Sequence, residues 1–127
     1  MMWQKFRRMF EIVEVSYSFT QFRKHHLTPA FKELRKHGFH ASTKNIQCCQ
    51  SCSLAIIPDG VSYVFYHEQD KDRFKQYNTM FLGFNFLAEE DRDLCVNVLH
   101  RHIPQVEWDG TERHRIQIFG ANFQEIW

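Results

Sequence analysis

Three cysteines stand within five residues of one another, at Cys48, Cys49 and Cys52. Two thiolates separated by two residues fit one tetrahedral zinc ion, because the short loop between them lets both sulfurs face the same point. A structural zinc site needs further ligands, and the sequence has no second pair of cysteines at this spacing. With His67 as the added ligand, Cys49, Cys52 and His67 form the candidate set for a zinc ion.

Two other interpretations of these thiols need no metal. A redox-active pair would stand where a helix begins after a strand, a setting that this stretch does not predict. Adjacent Cys48 and Cys49 are poorly placed for a disulfide, because joining neighbours strains the bridge. We therefore expect reduced thiols that fill the protein interior as small apolar side chains, without a cofactor. Cys95, on the apolar stripe of a predicted helix, should be buried in the same way.

His67 and Asp70 form a second candidate group at the end of a predicted strand. A histidine with a nearby carboxyl group can act as acid and base. Both residues also have a structural explanation, since Asp70 is placed to cap the next helix and His67 follows the inward alternation of Phe65. We favour the structural explanation and assign no catalytic residue. Cys48, Cys49, Cys52, His67 and Asp70 remain the candidate functional cluster.

Helices and strands alternate irregularly around these groups. The predicted helices are residues 3–12, 29–37, 70–77 and 89–102. Thr28 is the expected cap of the second, Pro29 its first residue and Gly38 its left-handed end. The last has acidic residues at its start and basic residues at its end, which complements the helix dipole. The apolar residues of 13–25 fit both the helical period and the two-residue alternation of a strand, so helix and strand both remain open there.

Short apolar segments predict the strands. They are residues 39–43, 54–57, 61–66 and 80–87, followed by a C-terminal hairpin. Pro58-Asp59-Gly60 predicts a tight turn that pairs Ile57 with Val61. Both faces of 61–66 are largely apolar, which predicts a central strand covered on both sides. In the last hairpin, a loop over 109–111 pairs Glu107 with Arg113 and keeps Val106 on the inner face.

The whole chain has the size and composition of one globular domain. It has 127 residues, 43% of them hydrophobic and 16% aromatic, which excludes intrinsic disorder. A net charge of +1 indicates no nucleic-acid partner, and no apolar run is long enough for a signal peptide or membrane span. We expect a soluble cytoplasmic protein. The predicted fold is α+β, a single domain over 1–127 with about five mostly antiparallel strands and three or four helices packed on the sheet. Residues 1–27 form either part of it or a helical or extended N-terminal extension.

Three motifs in order resemble one protein family. They are Cys48-Cys49-Gln50-x-Cys52, the segment YVFYHEQD over 63–70, and VEWDGT over 106–111. Together they resemble a family of uncharacterised bacterial domains over about Leu34 to Ile118. The resemblance implies a shared fold and a shared site that joins the cysteines to His67. It implies no activity.

These observations favour a small protein-binding module over an enzyme. The sequence has no recognisable catalytic constellation, and its many aromatic residues could anchor an interface. We expect an immunity- or inhibitor-like protein whose partner is another protein, with Trp108 and Trp127 in the interface. The alternative is a metal- or thiol-dependent enzyme that uses Cys48, Cys49 and Cys52 with His67. The oligomeric state stays open.

Overall fold

A four-stranded antiparallel sheet and the helices around it form the α+β fold of this protein. The structure is a computed structural model, and it describes residues 18–120. Its elements are α1 (Phe19–Phe22), a π-helical segment (Arg23–Leu27), α2 (Thr28–Lys36), α3 (Gln50–Ala55), β1 (Tyr63–Phe65), α4 (Glu68–Tyr77), β2 (Thr79–Asn85), α5 (Glu89–His102), β3 (Gln105–Glu107) and β4 (Ile116–Phe119). The predicted helix over 3–12, residues 13–17 and Trp127 lie outside the described residues. The predicted fold class is confirmed, with four strands instead of about five.

The first helical stretch is longer than predicted and includes Pro29 in its interior. It begins after Ser18, whose hydroxyl accepts the backbone N–H of Gln21 at 3.2 Å. Residues 19–25 are therefore helical. Proline cannot donate to a carbonyl one turn earlier and its ring crowds that carbonyl, and the turn just before Pro29 is π-helical. Thr28 does not cap this helix as predicted, because the helix already continues through it; its hydroxyl lies 3.2 Å from that of Thr43.

The strands are ordered β1-β2-β4-β3, and each neighbouring pair is antiparallel. β1 is therefore an edge strand of this sheet, and its predicted central position is wrong. On the free side of β1, His40 makes a short parallel bridge with Tyr63. Its N–H donates to Ser62 at 2.9 Å, and its carbonyl accepts from Val64 at 3.1 Å. The predicted strand over 39–43 is thus reduced to this one-residue bridge.

The predicted hairpin across Pro58-Asp59-Gly60 is wrong, because the residues before the turn are helical. Residues 50–55 form α3, and the N–H groups of Ile56 and Ile57 bond to carbonyls three residues earlier, at 3.4 and 3.3 Å. Their backbone groups are thus used locally. The position beside β1 that Leu54–Ile57 would need is taken by His40. The loop and helix that carry the cysteines consequently lie beside the sheet and not in it.

The last hairpin exists, but its register differs from the prediction. Val106 pairs with Ile118 and Glu107 with Gln117, four residues further along than predicted. The longer loop is held by Trp108, whose indole N–H donates to the carbonyls of Thr111 at 3.0 Å and His114 at 2.8 Å. An even shift keeps every side chain on its face, so Val106 still packs against the core.

The core lies between the sheet and the helices. Its fully buried members include Phe22, Phe31, Leu34, Val64, Met80, Leu82, Leu99, Ile116 and Ile118. Helix α5 has the predicted bounds and buries Cys95, Val98 and Leu99, as its apolar stripe predicts. Glu33 of α2 binds His102 of α5, with Nε2 to Oε1 at 2.8 Å, and it also contacts Arg101. These contacts fix α2 and α5 against each other on the core.

Candidate functional site

The three clustered cysteines lie at the protein surface. Cys49 stands just before α3 in extended backbone, Cys48 precedes it, and Cys52 lies in the first turn of the helix. Cys48 and Cys52 are exposed and Cys49 is half-buried. The predicted interior packing of these thiols is therefore wrong. Helix α3 buries only Ser53, so the apolar run that follows the cysteines does not draw this segment into the core.

The sulfurs of these cysteines converge on one point. The Sγ atom of Cys48 lies 3.8 Å from that of Cys49 and 3.5 Å from that of Cys52. All three sulfurs lie within 4.8 Å of one another. Among residues 18–120, no other group of three or more cysteine, histidine or acidic side chains brings its ligand atoms this close. Cys48, Cys49 and Cys52 are called the thiol cluster below.

The surroundings of Cys49 and Cys52 shift their pKa values in opposite directions. The backbone N–H of Cys52 and the neighbouring thiols lower the pKa of Cys49. Hydrogen bonds to Cys48 and Cys49 favour the protonated form of Cys52 and, together with the negative charge that these two thiols can carry, raise the pKa of Cys52 to about 11. The cluster therefore favours one thiolate on Cys49 and a retained proton on Cys52. Cys95 is different: burial raises its pKa to about 12, as expected for a core thiol.

His67 and Asp70 are buried together at the start of α4. Their side chains meet with His67 Nε2 at 3.3 Å from Asp70 Oδ2, and they are 4% and 5% exposed. The same oxygen accepts the backbone N–H of His67 at 3.1 Å. Asp70 is thus the third residue of α4 and not its cap, because the helix begins at Glu68. Burial raises the pKa of Asp70, and the N–H and ring of His67 oppose that rise.

One cavity of about 400 Å³ connects the thiol cluster with this pair. Three groups of residues line it. They are Cys49, Gln50 and Ser51 at the start of α3, His67, Gln69, Asp70 and Arg73 at the start of α4 and within it, and Phe81 of β2 with Arg115, which directly precedes β4. Cys49, His67 and Asp70 are therefore brought to one cavity. Cys48 and Cys52 belong to the thiol cluster but do not line it. The close set of ligand atoms is Cys48, Cys49 and Cys52, without the predicted His67.

Two arginines of this cavity have no signal in the sequence. Arg73 lies over the ring of Phe81, with its guanidinium carbon 5.6 Å from the ring centre. Arg115 Nη1 lies 3.8 Å from Asp70 Oδ1. Arg115 is separated from Asp70 by more than forty residues, and it stands in the loop whose register the prediction missed. Local spacing could not reveal that the two meet.

Trp108, the predicted interface residue, is half-buried in an aromatic group. Its ring packs on Phe84 with centroids 5.0 Å apart and on Phe86 at 6.0 Å. These rings, with Glu89, Arg92 and Glu112 among others, line a cavity of about 350 Å³. The second predicted interface residue, Trp127, lies outside the described residues. Within residues 18–120, none of the helices has the length and apolar composition to cross a membrane.

Comparison with known proteins identifies the family. The model of a domain of unknown function, DUF6891, matches residues 20–126. The chain belongs to the DUF6891 family. The DUF6891 match covers the thiol cluster, His67, Asp70 and both arginines, and it agrees with the predicted resemblance to an uncharacterised domain family. Searches of curated proteins and of solved structures found no match.

Proposed function

We propose that this DUF6891 domain binds a metal ion, with zinc as the ion and Cys48, Cys49 and Cys52 as its protein ligands. The observation that carries the proposal is the spacing of the sulfurs. A tetrahedral site with zinc–sulfur bonds of about 2.3 Å has sulfur–sulfur edges of about 3.8 Å. Two of the separations here are 3.8 and 3.5 Å, and all three lie within 4.8 Å. An ion can therefore enter with little movement of the chain.

The protonation of the cluster also fits a cation. Hydrogen bonds to Cys48 and Cys49, and repulsion between neighbouring thiolates, raise the pKa of Cys52 to about 11. A divalent ion replaces the proton of Cys52 and removes the repulsion, so binding releases protons and strengthens as the pH rises. Thiolates are also the ligands that soft and borderline ions such as zinc prefer.

Three protein ligands leave a fourth position of the tetrahedron open. Structural zinc sites usually close that position with a fourth side chain, whereas catalytic sites leave it to water or substrate. Cys49 lines the cavity of His67 and Asp70, so an open position near Cys49 would face acid–base groups. This supports the metal-dependent enzyme as the finer form of the proposal, with no reaction assigned.

The test is a zinc titration of metal-free, reduced protein against a chelator of known affinity. We expect one zinc per chain, and an affinity at least about tenfold weaker in each of C48S, C49S and C52S. C95A is the matched control, because Cys95 is the buried thiol remote from the cluster, and it should bind zinc like the wild type. Absence of stoichiometric binding, or an equal loss in C95A, would refute the proposal.

The protein-binding interpretation stays a prediction. Its expected anchor, Trp108, packs on Phe84 and Phe86, and its indole N–H is bonded within its own loop. The large apolar side chains that the described residues expose are instead Leu54, Ile56, Tyr77 and Leu87. An immunity- or inhibitor-like role has no observation of its own, and the thiol cluster is the better supported site.

A further inference from the structure

We propose that the cavity between Cys49 and Arg115 binds a small anionic ligand, and that Arg73 and Arg115 contact its carboxylate or phosphoryl group. This inference goes beyond metal binding and does not depend on it. It concerns the cavity of about 400 Å³ that the thiol cluster only borders.

The two guanidinium groups are positioned and keep their donors available. Arg73 lies over the Phe81 ring at 5.6 Å, and this cation–π contact holds its head group at the cavity wall without using an N–H. The 3.8 Å between Arg115 Nη1 and Asp70 Oδ1 is longer than a hydrogen bond. Each guanidinium group can donate two parallel N–H groups to two oxygens of one carboxylate or phosphate. The cavity has two such groups, Arg73 and Arg115.

The one carboxylate of the cavity is already engaged. Asp70 Oδ2 accepts the backbone N–H of His67 at 3.1 Å and lies 3.3 Å from its ring. Asp70 is therefore a positioning residue for His67, and its partial pairing with Arg115 leaves an excess of positive charge.

His67 supplies a second, independent observation. It lines the cavity and is 4% exposed, and its Nδ1 atom faces the backbone N–H of Asp70 in the capping box of α4 without forming a hydrogen bond of good geometry. An enclosed polar atom without a good hydrogen bond costs stability unless a water, an ion or a ligand partners it. The cavity thus combines two cations with a buried imidazole that the fold alone does not satisfy.

The size and remaining lining fit a small molecule. Cavities of about 300–1,000 Å³ are typical of small-ligand sites. Gln50, Ser51 and Gln69 add uncharged hydrogen-bonding groups. A ligand anchored by its anionic group at Arg73 and Arg115 would extend toward Cys49. The expected class is therefore a small organic acid or phosphate ester with a polar body.

The experiment is a titration of the metal-free, reduced protein with inorganic phosphate and, separately, with succinate, at constant ionic strength. Amide chemical shifts in NMR spectra report binding. We expect one saturable site, and affinity about tenfold weaker in R73Q and in R115Q because each loses a charge-assisted contact. R92Q is the matched control, since Arg92 lies on α5, contacts Asp93 and lines a different cavity.

The outcomes separate this inference from the metal proposal. Saturation by phosphate assigns a phosphoryl ligand, saturation by succinate a carboxylate ligand, and either supports the inference. If neither anion saturates, or if R92Q weakens binding as much as R115Q, the inference is wrong. The zinc titration of the same preparations is read independently, so either proposal can fail while the other stands.

Discussion

Alkylation of the four cysteines tests where the structure places them. Burial raises the pKa of Cys95 to about 12, whereas Cys48 and Cys52 are exposed and Cys49 is half-buried. At pH 8, a thiol of pKa 12 is ionised in roughly one molecule in ten thousand. An ordinary thiol with a pKa of about 8.5 is roughly one quarter ionised at that pH. Because the thiolate is the reacting species, Cys95 should react on the order of a thousandfold more slowly, before its steric protection is counted.

The order of reaction within the thiol cluster can also be predicted. The lowered pKa of Cys49 makes it more ionised than Cys52, so Cys49 should be modified before Cys52. Cys52 should lag, because its pKa is raised to about 11 by its neighbours. Once Cys48 and Cys49 carry neutral adducts, that repulsion ends and Cys52 should react normally. The reaction should therefore stop at three adducts in the folded protein.

The assay is iodoacetamide treatment of metal-free, reduced protein, followed by intact-mass and peptide mass spectrometry over time. Three adducts are expected in the native protein and four in guanidinium chloride. C95A should give the same three under both conditions, and C49S should give one adduct fewer than the wild type under each. Labelling of Cys95 within tenfold of the rate of Cys49, or fewer than three native adducts, would show that the thiols are placed wrongly.

Two further changes test the packing that supports the site. Gly83 of β2 stands opposite Phe65 of β1, and an added Cβ would overlap the Phe65 ring. Overpacking costs about 1–3 kcal/mol and the stiffer unfolded chain returns about 0.4–1, so G83A should lose about 1–2 kcal/mol in urea unfolding. A smaller side chain in F65L should recover part of this loss, and full additivity of the two changes would contradict the contact. The second change concerns Glu33, whose carboxyl pKa is lowered below its ordinary 4.5 by the hydrogen bond from His102. The ionised Glu33 therefore stabilises the folded protein above pH 4.5, and this stabilisation fades as the pH falls through the lowered pKa. E33Q should therefore lower the melting temperature at pH 7 but not in strong acid, whereas exposed E112Q should change neither; equal effects at both pH values would contradict the link.

The parts of the fold that sequence reasoning predicted correctly are those with strong local signals. Helix α5 has its charge order, its apolar stripe and Pro104 within one segment, and its bounds are confirmed. Strand β2 is confirmed to within two residues at each end, because its residues alternate between buried Met80 and Leu82 and half-buried Thr79 and Phe81. In both cases the segment itself contains the information that decides its structure.

The errors arise where distant residues decide. Leu54–Ile57 is apolar enough for a strand, but His40 occupies the edge of β1 and the segment becomes a surface helix and turn. The hairpin register depends on two carbonyls that the Trp108 indole binds across its loop. Pro29 indicates a helix start, yet the preceding residues accommodate it by a π-helical turn. None of these partners can be read from the segment concerned.

The candidate site shows the same division between local and distant information. Spacing alone indicates Cys48, Cys49 and Cys52 in the sequence, and their convergence follows from that spacing once α3 begins at Gln50. Arg115 reaches the cavity only because the longer loop after Trp108 ends where β4 pairs with β2. The metal proposal thus rests on a local motif, whereas the anion proposal rests on tertiary structure. Cys49 is the one side chain that belongs to both, so a ligand held by the arginines and an ion held by the thiols would meet there.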